Sequence, residues 1–112
     1  MGIDGRAAYE AIRAHCLSKT GAAEEYPWGH VVWKVKGKLF CIASENETRL
    51  TVKSTPEKQT MLIQHPKIEV ASHVGRYGWV TVYADDQDTL DLALELVDES
   101  YAMLTAKKAS RK

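Results

Sequence analysis

Cysteine, proline and phenylalanine are scarce in this chain, neither sign of charge is in excess, and no long apolar run occurs. The two cysteines, Cys16 and Cys41, form no Cys-x-x-Cys pair, which leaves zinc and dithiol redox motifs without support. Three prolines, seven glycines and no low-complexity run leave little room for a disordered linker. No apolar run approaches the ~20 residues of a membrane-spanning helix. The opening Met1-Gly2-Ile3-Asp4-Gly5-Arg6 is followed by no apolar h-region, so no signal peptide is expected. Arg6 stands where a myristoylation motif wants Ser or Thr. His30, His65 and His73 fall near loops, where they could meet Glu24, Glu25 or Cys41, but no His-x-x-x-His spacing joins them. There is no Gly-rich phosphate loop and no nucleophile elbow. The expectation is a reduced, cytoplasmic protein with no metal, no cofactor, no membrane partner and no enzymatic activity.

What is present suits one soluble domain. At 112 residues the chain can bury roughly 65% of the surface its unfolded form exposes, enough for a core without staples. We expect a single α+β domain over residues 1–106. The basic tail Lys107-Lys108-Ala109-Ser110-Arg111-Lys112 has no apolar face to bury and should fray. Formal net charge is zero, but residues 34–76 carry eight bases against four acids, and residues 85–99 carry seven acids and no base. Such segregation lets a neutral chain fold with a positive face.

In chain order, residues 4–20 read as a helix. Ala8, Ala11, Ile12, His15 and Cys16 form its apolar stripe, Asp4 its cap and Gly21 its left-handed stop. His15 on that stripe reads as a hydrogen-bonded core or edge histidine. Pro27 forbids a helix through the aromatic stretch Tyr26-Pro27-Trp28-Gly29-His30 and favours an extended Tyr26. Residues 31–36 then alternate, with Trp33 and Val35 on one face and Lys34 and Lys36 on the other. Lys36-Gly37 is a turn. Residues 38–44 are apolar on both faces and suit a central strand. Residues 48–53 make a third strand, with Leu50 and Val52 inward. Thr55-Pro56-Glu57 starts a short helix that ends before Pro66. Residues 68–72 are weakly strand-like, Gly75 to Gly78 is a turn, and WVTVYA at 79–84 is a convincing strand. Asp85, Asp86 and Asp88 suit the start of a last helix running to about Lys107. Its apolar arc is wide enough to touch more than one element. The order helix, three strands, helix, two strands, helix implies a two-layer α+β fold around one mainly antiparallel sheet.

Glu24, the run Pro27-Trp28-Gly29-His30, then Val35-Lys36-Gly37-Lys38-Leu39-Phe40, Gly78-Trp79-Val80-Thr81-Val82 and Ser100-Tyr101 resemble the MmcQ/YjbR family. The resemblance covers nearly the whole chain, and its specificity lies in several pieces occurring together in order. One departure is Thr20-Gly21, where many members have Pro-Gly. The resemblance implies a small fold likened to type III secretion chaperones and to frataxin. It also implies the label "double wing" and a DNA-binding role drawn from fold analogy. Pro27, Trp28, Gly29, His30, Phe40, Trp79, Ser100 and Tyr101 read as structural members of the motif, with Trp28 plugging one end of the core and His30 ordering its turn.

Two functional readings follow. In the first, the open sheet face carries Lys34, Lys36, Arg49 and Lys53 beside Trp79 and Tyr83, with Lys38, Lys67 and Arg76 on flanking turns. Bases for phosphates and aromatics for stacking are what single- or double-stranded DNA needs. In the second, the same face or an exposed groove docks a protein or peptide, as a chaperone or adaptor does.

Overall fold

Asp4 opens the first helix, α1 (Gly5–Leu17), by accepting a 2.8 Å hydrogen bond from the Ala7 amide, one of the donors a helix start leaves unpaired. The computed structural model describes residues 2–72 and 74–106; the Trp28 side chain, His73 and the tail 107–112 lie outside the described residues. The face of α1 that is buried is Ala8, Tyr9, Ile12 and Cys16. Ala11 and His15, expected on that stripe, flank it half-buried. Tyr9 belongs because Tyr9, Ile12 and Cys16 are spaced i, i+3, i+7.

Six strands follow in one sheet: β1 (Ala23–Glu25), β2 (Val31–Val35), β3 (Lys38–Ala43), β4 (Arg49–Val52), β5 (Ile68–Val70) and β6 (Val80–Tyr83). Their spatial order is β1-β2-β3-β4-β6-β5, and every pairing is antiparallel. The two-layer α+β expectation therefore holds, with one addition. Residues 23–25, read in sequence as the approach to Pro27, pair with β2 as an edge strand.

Local chemistry sets the joints. The β2–β3 turn is Lys36-Gly37, both with positive φ (55° and 78°), the mirror-image turn whose twist matches that of the flanking strands. The register slips between Trp33 and Lys34, so Phe40 is an extra, bulged residue on β3. Phe40 is fully buried, with the Tyr101 ring edge-on at 5.6 Å. Gly78, at φ 98°, ends the turn before β6, and a Cβ there would fall 2.6 Å from the Thr55 carbonyl carbon, so only glycine fits.

Thr55 caps the second helix, α2 (Pro56–Leu62), and Asp86 caps the third, α3 (Gln87–Thr105). The face of α3 bearing Leu90, Ala93, Leu96 and Val97 joins Ile12, Trp33, Phe40, Leu50, Val52, Val80 and Val82 in one apolar cluster. Helix and sheet are pinned by Ser100, whose hydroxyl donates to the Phe40 carbonyl at 2.7 Å in a fully buried contact. At the bulge that carbonyl also accepts the Lys53 backbone amide at 3.3 Å, so both its lone pairs are used. No helix among the described residues is long and apolar enough to cross a membrane.

Candidate binding face

Residues directly opposite in an antiparallel pair share a face. Val31, Trp33, Val35, Cys41, Ala43, Leu50, Val52, Val80 and Val82 belong to the apolar cluster with the helices. The other face therefore carries Glu25, Val32, Lys34, Leu39 and Ile42 from the first three strands. From the remaining strands it carries Arg49, Thr51, Thr81, Tyr83 and Glu69. Lys53 and Trp79 extend it by alternation, with the ammonium 5.8 Å from the indole centroid. The face was legible in sequence. Its charge balance was not.

The seven cations expected to bind fall into different environments. Lys34 contacts Glu25 at 3.0 Å and Arg49 contacts Glu47 at 3.0 Å. Lys67 sits between Asp85 (2.5 Å) and Asp86 (2.7 Å). These hydrogen bonds raise the Lys67 pKa, and the Lys67 ammonium with the Thr89 amide holds Asp86 well below the usual carboxylate range. Arg76 lies over the Tyr77 ring at 5.0 Å and donates to its hydroxyl at 2.8 Å. Lys36, Lys38 and Lys53 have no carboxylate partner among the described residues. Lys38, expected beside Lys34 and Lys36, is instead opposite the helix-facing Val35. A two-residue turn pairs the residues that flank it, so evenly spaced lysines do not stay on one face across it.

Pro27–Gly29 makes one turn of 3₁₀ helix, and the His30 amide donates to the Pro27 carbonyl at 3.0 Å. The His30 ring reaches Ser44 Oγ at 3.2 Å. The largest polar knot is at Glu24, on the helix side of β1. Its carboxylate, about 10% exposed, accepts Arg13 Nε at 2.9 Å and Nη2 at 3.1 Å, Trp33 Nε1 at 2.9 Å and the Tyr26 hydroxyl. Burial pushes the Glu24 pKa up, but the hydrogen bonds from Arg13, Tyr26 and Trp33 outweigh it and the net shift is down. Sequence reasoning had Glu24 as a motif letter and as a residue that loop histidines could meet, and missed Arg13, whose spacing carries no signal for a partner on an edge strand. His15 of α1 and Lys19 just past its end likewise hold Asp98 of α3.

The outer face also carries a groove of about 410 Å³, lined by His30, Ile42, Ser44, Arg49, Thr51, Glu69, Ser72, Val74 and Thr81 among others. Thr51 and Thr81 share a 2.9 Å hydroxyl contact on its floor. Tyr83 donates to Glu69 at 2.7 Å. That bond raises the Tyr83 pKa, and nearby Arg49 opposes the rise. Glu69, Ser72 and Val74 were not expected to take part. The alternation Ile68-Glu69-Val70 would have turned Glu69 outward had that strand been read with weight. Among the described residues no cluster of three or more His, Cys, Asp or Glu is placed to hold a metal ion.

The YjbR family model matches residues 17–103. The chain belongs to the YjbR family. A relative named uncharacterized protein YbdF, from Escherichia coli O157:H7, is 28% identical over 114 residues, covering 97% of this chain and 93% of the relative. The crystal structure of Deinococcus radiodurans protein DR2400, a DUF419 domain, superposes with a TM-score of 0.76 at 27% identity, covering 92% of this chain and 82% of that one. Of the family pieces of this chain, Glu24 bonds Arg13 of α1, and Ser100 and Tyr101 of α3 contact Phe40 of β3.

Proposed function

We propose that this YjbR-family chain is a non-catalytic nucleic-acid-binding protein of the cytoplasm that grips phosphates with the hairpin end of its sheet. The observation that carries the reading is the set Lys36, Lys38 and Lys53. These are cations without a carboxylate partner among the described residues, at the end of the sheet where the β2–β3 turn meets the end of β4. Lys34 joins them on energetic grounds. Its contact with Glu25 is between partly exposed groups, and such pairs are worth at most about 1 kcal/mol, so a phosphate can replace the carboxylate. The second wing contributes less, because Lys67 is already held by two aspartates. Trp79 is only 7% exposed, leaving little ring for a base to stack on. Phosphate contacts then dominate, and binding should be tolerant of sequence and of strandedness.

Titration against single- and double-stranded DNA over a range of salt tests this. Four phosphate contacts give a log-log slope of about −3 to −4. Reversing Lys36, Lys38 and Lys53 to Glu should flatten most of that slope. Absence of binding by the unmodified protein at low salt sinks the proposal. A protein- or peptide-binding role is the alternative, favoured by the exposed apolar side chains of Met61 on α2, Ile63 just past its end and Val70 on β5.

A further inference from the structure

We infer that the outer-face groove is a binding site for a small zwitterion, a free amino acid with an apolar side chain. The site lies toward the opposite end of the strands from Lys53 and uses none of the lysines invoked for nucleic acid, so it stands or falls independently of that reading.

Charge decides the ligand class. Glu69 has no cationic partner among the described residues and accepts only the Tyr83 hydroxyl. Arg49 spends one contact, through Nη2, on Glu47 at the rim. A guanidinium has five N–H donors in a fixed fork, so most of its capacity remains. The groove thus offers a carboxylate with no direct ion pair among the described residues and a guanidinium with free N–H donors, with Tyr83 between them: Arg49 is opposite Tyr83 in the register, and Glu69 holds the Tyr83 hydroxyl. An anion alone would leave Glu69 repelling it, and a cation alone would face Arg49. A molecule with an ammonium and a carboxylate on one carbon satisfies both.

The rest of the lining fits the body of such a ligand. Ile42 and Val74 give apolar contact, and the Thr51–Thr81 pair gives hydroxyls. When two hydroxyls share one hydrogen bond, a second donor and further lone pairs stay free to meet a polar atom. At about 410 Å³ the groove is at the small end of ligand sites, which run from about 300 to 1,000 Å³. That size suits an amino acid better than a nucleotide-sized cofactor.

The test is an amide-resolved NMR titration of the unmodified protein with leucine, N-acetylleucine and leucinamide. Leucine is expected to shift the amides of Thr51, Glu69, Ser72 and Thr81. Each blocked analogue should bind roughly 10-fold more weakly or worse, the loss of one charge-assisted hydrogen bond. Glu69→Gln should erase the preference for leucine over N-acetylleucine, and Arg49→Met the preference over leucinamide. Equal binding of the three compounds, shifts confined to other parts of the chain, or no shift with any of them would overturn the assignment. The three-ligand comparison needs no variant, so a misfolded mutant cannot hide the answer.

Discussion

Two carboxylates at opposite edges of the sheet, Glu24 on β1 and Glu69 on β5, have opposite circumstances. Both sit on edge strands of the same sheet. Glu24 faces the helices, is nearly buried, and receives hydrogen bonds from Arg13, Tyr26 and Trp33. Glu69 faces away from them, is exposed, and receives one, from Tyr83. A buried charge must be satisfied by its own protein, whereas an exposed one can leave capacity for a ligand. Among the motif residues Glu24, Phe40 and Ser100 follow the first pattern, whereas the exposed Lys36 and Lys38 follow the second.

Glu24→Ala is the sharpest way to break that contrast. It strands the Arg13 guanidinium and the Trp33 indole N–H beside the core. Removing one member of a fully buried pair costs 3–5 kcal/mol, and the part-exposed Arg13 can rehydrate, so about 2–3 kcal/mol is expected in urea unfolding. A loss under about 1 kcal/mol would mean the knot is incidental. The pH dependence has a definite sign. The folded Glu24 pKa lies below its ordinary value of about 4.3. The linked stability is therefore fully present above that value and is lost as pH falls through the folded pKa. Unfolding curves of wild type should weaken on the acid side of pH 4, and Glu24→Gln should show less of that weakening.

Ser100→Ala probes the same principle with a neutral group. The Phe40 carbonyl loses the buried donor at 2.7 Å, and about 1–2 kcal/mol should follow. Ser100→Thr would test whether the hydroxyl or the space matters. If thermal denaturation of the alanine variant matches wild type, the Lys53 amide that also reaches this carbonyl at 3.3 Å satisfies it alone.

Much of this architecture was readable from residues alone. Alternation at 31–35 and 80–83 gave strands, and Asp4, Thr55-Pro56 and Asp86 marked helix starts that are capped as expected. β1 was not readable, because its only inward side chain is Glu24 and a three-residue strand without an apolar alternation carries no periodic signal. The side of the sheet on which Lys38 leaves its turn was not readable, because the turn at Lys36-Gly37 reverses the chain between Lys34 and Lys38. The outer face was named from Lys34, Arg49 and Lys53, yet its acidic members Glu25 and Glu69 come from strands that the sequence marked weakly or not at all. A site assembled across strands far apart in sequence is visible only once the register is known.

The smallest expected effect on stability comes from the residues proposed to bind nucleic acid. Lys36 and Lys38 are exposed, and neither they nor Lys53 has an ion-pair partner among the described residues. Replacing Lys36, Lys38 and Lys53 by Gln should change unfolding free energy by about 0.5 kcal/mol or less apiece, as surface substitutions do. Lys53 is the exception to watch, since its contact with the Trp79 ring adds roughly 0.5–1 kcal/mol when exposed. If the triple variant instead unfolds as readily as Glu24→Ala, these lysines hold the sheet together. The division between a satisfied inner face and an available outer one would then fail at its hairpin end.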